Sequence, residues 1–294
     1  MSDEAETVPE TREAFALLGH DIRLEILLAL LDRWRAAHTE PQGYADLMRA
    51  VEMQDSGKFN YHLGRLRGVY LRKTADGYVP TASATALHRA VLANRPTESV
   101  SRHEFDTSVA CPECDGPTTL TYDREFFSLR CPSCDELVGG FTYPFPKNGL
   151  RNRTDEVVFE TVYDRARTQV GLARRGQCPD CAGTTTVTVD PAALDRDGAF
   201  PVGISCETCT WVVESGFYLP LLSHARVAAG LLEIGLPVEE AYHWDLPTPT
   251  TTVVRTDPLE LELRIAGPEG TATIVVDGTL AVTSVTTSRG HGPR

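Results

Sequence analysis

Eight cysteines carry the clearest chemistry in this sequence. They form four C-x-x-C pairs, Cys111/Cys114 with Cys131/Cys134 and Cys178/Cys181 with Cys206/Cys209, and none is left over. The two sets are separated internally by 16 and 24 residues: the first gap falls within the usual zinc-ribbon spacing, and the second exceeds it by an insertion around residues 191–201. Two thiolates on one tight turn can point at a single ion, and two such turns complete the tetrahedral four-sulfur shell that Zn²⁺ accepts. Four protein ligands leave no open coordination position. The expected cofactor is therefore Zn²⁺ at two structural sites per chain, each contributing roughly 10 to 16 kcal/mol of apparent binding free energy. Disulfides, redox-active pairs and iron in the same shell are the alternatives. Four pairs are more than a thioredoxin-like site needs, whereas iron takes the same ligand set.

A second constellation is basic. The chain has 294 residues and a net charge of −13, yet residues 56–73 carry Lys58, Arg65, Arg67, Arg72 and Lys73 and no acid. Such a local reversal of sign points to a polyanion partner. On a helical wheel over 57–69, Phe59, Leu63 and Leu66 share one side, while Gly57, Tyr61, Gly64, Arg65 and Gly68 lie opposite, flanked by Lys58, Asn60 and Arg67. Glycines allow close approach to a duplex, and Arg and Asn are the side chains that read guanine and adenine edges. His62 sits at the flank of the apolar side and is expected to be packed. His20, His88 and His103 have no partner at ligand spacing.

The elements that must position these residues follow from apolar spacing and end signals. Helices are expected over 11–18, closed by Gly19, then from Asp21 as a cap, and over 44–51 after a loop at 38–43. The basic helix follows, capped by Asp55 or Ser56. Segments 71–74 and 78–80 flank Ala75-Asp76-Gly77, a hairpin turn signal, and Thr81 caps a further helix. From Cys111 the chain repeats itself at an offset of 67 residues: Cys111-Pro112-Glu113-Cys114 with Gly116 corresponds to Cys178-Pro179-Asp180-Cys181 with Gly183. Each copy continues into a second Cys pair and a helical stretch (156–173; 221–234). After Pro247 the period becomes two, predicting an antiparallel meander of about four strands with one apolar face.

Three N-terminal segments, Gly19-His20-Asp21-Ile22-Arg23-Leu24-Glu25-Ile26-Leu27, Asn60-Tyr61-His62-Leu63-Gly64-Arg65-Leu66 and Asp76-Gly77-Tyr78-Val79-Pro80-Thr81, resemble the ArsR-like winged helix-turn-helix transcriptional regulators. The low lysine count and excess of acids resemble haloarchaeal proteins. The resemblance implies that the helix over 57–69 enters the major groove of double-stranded DNA and that the hairpin over 71–80 is a wing along the backbone. Lys58, Asn60, Tyr61, Arg65 and Arg67 then become candidate DNA contacts on the helix, and Arg72 and Lys73 on the wing. Residues 1–110 contain no cysteine, so the metal sensing of that family is not implied.

The expected fold class is α+β multidomain: a winged helix-turn-helix over 1–98, zinc ribbon plus helix over 104–175 and again over 176–246, an antiparallel β segment over 247–288 and a disordered tail over 289–294. The acidic, polar residues 1–10 and the lack of a long apolar run predict a cytoplasmic protein with no membrane partner. The expected function is sequence-specific regulation by DNA binding, as a homodimer through the first helix and the helix over 81–94, with a possible protein partner at the ribbons. The alternative is a protein-interaction scaffold, such as an RNA polymerase-associated factor, that uses the N-terminal domain for protein contacts. No catalytic triad, phosphate loop or open metal site argues for an enzyme.

Overall fold

Helical spacing of the apolar residues is realised in five helices between residues 11 and 94 of the computed structural model, which describes residues 11–34, 40–111, 113–135, 137–195 and 200–289. The expectations for residues 1–10, His38, Thr39 and 290–294 lie outside them. The chain forms two units, Met1–Ser99 and Val100–Arg294, in a mixed α+β arrangement.

In the first unit, α1 (Thr11–Leu18), α2 (Asp21–Asp32), α3 (Tyr44–Ala50) and α4 (Ser56–Leu66) precede an antiparallel hairpin of β1 (Leu71–Lys73) and β2 (Tyr78–Pro80), and α5 (Ala82–Asn94) follows. Ile26, Leu30, Leu47, Phe59, Leu63, Leu66 and Leu71 are almost fully buried and form its core. Thr81 caps α5 by accepting from the Ala84 N–H, and Asp55 caps α4 by accepting from the Lys58 N–H at 2.9 Å. Asp21 is not the cap of α2: His20 is, its Nδ1 accepting from the Ile22 N–H at 3.2 Å, while Asp21 opens the helix, where its charge suits the dipole. Helix α4 stops at Leu66, three residues short of the expected end, because Arg67 is extended and Gly68 takes φ +82°. Gln42, expected in a loop, exchanges both backbone hydrogen bonds with Tyr78 beside the hairpin. Gly77 permits this, since a Cβ there would lie 2.5 Å from the Gln42 carbonyl oxygen.

The second unit begins with an antiparallel sheet of β3 (His103–Ala110), β4 (Pro117–Asp123), β5 (Phe126–Arg130) and β6 (Leu137–Pro144), followed by α6 (Asp155–Ala173). A three-stranded sheet of β7 (Thr185–Val189), β8 (Val202–Cys206) and β9 (Val212–Ser215) leads into α7 (Tyr218–Leu221) and α8 (Ala225–Glu233). The meander β10 (Thr250–Thr256), β11 (Leu259–Gly267), β12 (Gly270–Asp277) and β13 (Val282–Arg289) is antiparallel throughout. Leu261, Leu263 and Ile265 bury one face of β11, as period two predicts.

The helix expected over 221–234 is instead two helices. Ser223 donates its hydroxyl to the Pro220 carbonyl at 3.0 Å and His224 is extended, so a local side-chain bond replaces helix continuation. One hydrophobic cluster joins Phe127, Val162, Ile204, Leu231, Leu263 and Ile274. Both cysteine-bearing sheets and the meander thus share a core, and the sequence boundaries at 175/176 and 246/247 fall inside one unit. Arg289, expected in a tail, is the last residue of β13.

Two four-cysteine clusters and an exposed basic helix

Each Cys pair sits on a tight turn whose geometry the repeat duplicates. The Cys111 N–H donates to Gly116 O at 2.9 Å and the Cys178 N–H to Gly183 O at 2.8 Å; Asp115 and Ala182, the equivalent positions, both take left-handed φ, +55° and +58°. The glycines are needed for close approach. A Cβ on Gly116 would lie 3.2 Å from Cys114 Sγ, and one on Gly183 would lie 3.2 Å from Cys181 Sγ and 2.7 Å from Thr208 Oγ1. The second turns join β5 to β6 (Cys131, Cys134) and β8 to β9 (Cys206, the last residue of β8, and Cys209), and the antiparallel β4–β5 and β7–β8 pairings bring each first turn to its second.

All four sulfurs of each set lie within 4.8 Å of one another. Cys111–Cys134 and Cys178–Cys209 are 3.6 Å apart, Cys114–Cys131 and Cys181–Cys206 are 3.5 Å apart, and Cys114–Cys134 are 3.8 Å apart. A tetrahedron with metal–sulfur bonds of about 2.3 Å has edges of about 3.8 Å, so the sets match a four-thiolate metal shell. All eight cysteines are free thiols, and the separations are far from the roughly 2.05 Å of a disulfide.

In each cluster one thiol is drawn toward the thiolate, while the neighbouring sulfurs hold Cys114, Cys181 and Cys209 toward the thiol. Burial works against ionisation of Cys131, but the N–H groups of Cys134 and Ser133 and the thiols of Cys114 and Cys134 outweigh it and bring its pKa down to about 6. Cys206 also falls to about 6: the N–H groups of Cys209 and Thr208 act first, against burial, and the Cys181 and Cys209 thiols add to them. Such sulfurs are ready ligands for a cation.

All seven candidate DNA contacts are exposed. Lys58, Asn60, Tyr61 and Arg65 project from α4, Arg67 is its C-cap, and Arg72 and Lys73 are on β1. Tyr61 is 62% exposed. Arg65 and Arg67 line a cleft of about 560 Å³ with Gly64, Arg23, Glu13 and Leu17, so the C-terminal end of α4 faces α1. Opposite them, His62 is 4% exposed and packed, as expected. Its contact with His20 was not legible, because nothing in the spacing of 20 and 62 announces it.

Residues 108–282 match the family described as a domain of unknown function (DUF7351), and the chain belongs to that family. Residues 11–91 match another, described as a domain of unknown function (DUF7347). No curated protein and no solved structure matches the chain. No helix among the described residues is long and apolar enough to cross a membrane.

Proposed function

We propose that this protein is a sequence-specific DNA-binding transcriptional regulator whose first unit is an ArsR-like winged helix-turn-helix and whose second unit holds two structural Zn²⁺ ions. The observation that carries this reading is the division of α4: Phe59, Leu63 and Leu66 anchor one side in the core, and Lys58, Asn60, Tyr61, Gly64 and Arg65 are exposed on the rest. Helix α4 is the groove reader, and Arg72 and Lys73 on the hairpin grip phosphates. The regulator works as a homodimer. Phe15 on α1 and Val91 and Leu92 on α5 are exposed apolar side chains on the helices that such a dimer would use. Phe126 on β5 and Val212 on β9 offer apolar contacts for a protein partner at the cysteine-bearing sheets.

Zinc is preferred because four thiolates at these separations satisfy a d¹⁰ ion with no geometric demand of its own. A closed shell supplies fold stability and no substrate position, so the reading assigns the metal no catalytic step. Capture of sheared genomic DNA on the purified protein, followed by sequencing, tests the function. Enrichment of a common motif is expected. Even recovery of all fragments, or none, would overturn the regulator and favour a protein-interaction scaffold.

A further inference from the structure

Helix α6 and the turn between α7 and α8 belong to the helical parts of the two repeats. Where they meet is an open cavity of about 380 Å³ lined by Asp164, Arg167, Thr168, Gly171, Arg175 and Ser223. Gly171 sets the close approach: a Cβ there would lie 2.8 Å from Ser223 Cβ and 3.1 Å from its Oγ, and Arg175 Nη1 lies 3.9 Å from the same point. A guanidinium and a hydroxyl therefore flank one spot.

The charge around this cavity is opposite to that of its unit. Residues 100–294 carry sixteen Lys and Arg against twenty-seven Asp and Glu. Here Arg167 and Arg175 are in the lining, and Arg174, the C-cap of α6, and Arg226, in the first turn of α8, lie within three residues of lining positions in the chain. Asp164 is the acidic residue in the lining. Arg174 and Arg226 lie close enough to His224 to add to burial in holding its imidazole neutral. Arg174 in turn feels burial and then Arg175. Like charges gathered at reduced solvation cost folding free energy unless an anion relieves them.

Two polar atoms also lack partners. Arg174 Nε and His224 Nδ1 are buried with no hydrogen bond among the described residues, although Arg174 Nη2 donates to the Leu280 carbonyl at 3.1 Å. His224 is the N-cap of α8 and makes no side-chain cap bond. Arg167 is anchored by its Nη1 to the Val238 carbonyl at 3.1 Å, whereas Arg175 is exposed at the mouth.

We propose that this cavity binds a small phosphate-type oxyanion, with room for the organic part of a phosphomonoester. Guanidinium forks match phosphate oxygens in pairs, and the Thr168 hydroxyl adds a donor. Asp164 at the rim disfavours a bare dianion and favours a ligand that carries an ammonium or hydroxyl group beside its phosphate. The site does not depend on DNA binding by the first unit.

The test uses the full chain at fixed high KCl, with inorganic phosphate and phosphoethanolamine as separate probes followed by calorimetry and ³¹P line broadening. Saturable binding is expected, tighter for phosphoethanolamine. Arg175→Ala should weaken it at least about tenfold, since charge-assisted bonds to the anion are lost. Ser223→Asp, which places a carboxylate at the mouth, should do the same, and Arg12→Ala in the first unit should leave it unchanged. Melting of each variant without ligand checks that the fold is intact. Absence of saturable binding overturns the proposal, as does unchanged affinity in both cavity variants. Loss of phosphate binding on Arg65→Ala, with Arg175→Ala unaffected, would place the anion on the basic helix instead.

Discussion

The imidazole rings of His20 and His62 lie 4.2 Å apart between centroids, tilted by 45°, and so tie the start of α2 to the buried side of α4. His20 spends Nδ1 on the cap of α2, and His62 Nδ1 is buried without a hydrogen-bond partner among the described residues. Burial, then His20, Arg23 and Lys58, lowers the His62 pKa below its ordinary 6.5.

A stability consequence follows from that direction. The unfolded chain takes up the His62 proton at a higher pH than the folded one, so this contribution is complete above about 6.5 and is lost as pH falls from there toward the folded value. NMR should show the His62 imidazole titrating below its ordinary 6.5. Thermal melts at pH 7.5 and 5.5 should show a smaller acid loss for His62→Phe than for the parent chain. Titration of His62 at or above 6.5 would contradict the burial argument.

Metal content is the second expectation. Purified protein should hold two equivalents of zinc, and Cys111→Ser or Cys178→Ser should reduce this to one. Because both clusters sit in a unit with one shared core, either variant should lower the melting temperature of the whole second unit and leave the first unit's melt unchanged. Substantial iron with visible absorbance would reassign the metal.

The proposed DNA contacts are expected to separate by position. Arg65→Ala on α4 should flatten sequence preference more than it weakens total binding. Arg72→Ala with Lys73→Ala on β1 should weaken binding to all sequences alike and make its salt dependence shallower. Competition binding with specific and scrambled duplexes reads both effects. Identical, sequence-independent losses would show that α4 is not the reader.

Two glycines should respond in opposite ways to a methyl group. Gly64 is inside α4 with nothing within 4 Å of a built Cβ, so Gly64→Ala should stabilise the first unit by about 0.5 to 1 kcal/mol while weakening DNA binding through lost close approach. Gly183→Ala meets Thr208 and Cys181 and should destabilise the second unit by about 1 to 3 kcal/mol. Denaturant melts measure both. A neutral Gly183→Ala would mean that the turn can yield without disturbing its sulfurs.

Local chemistry made much of this protein legible in its residues. Pairs of cysteines on short turns, duplicated with their glycines, need only neighbouring residues to declare a metal shell, and the 67-residue offset repeats even the left-handed φ of Asp115 in Ala182. The period-two run through Leu261, Leu263 and Ile265 and the apolar spacing of Phe59, Leu63 and Leu66 likewise report burial that each element imposes on itself. What distant segments do to each other was decided only in three dimensions. His20 displaced Asp21 as a cap, Gln42 joined the hairpin, Ser223 broke a helix by donating to a carbonyl, and Gly171 of α6 came against Ser223. The merging of both cysteine-bearing sheets and the meander into one core has the same origin. Apolar faces carry no address, and only close packing chooses which of them share a core.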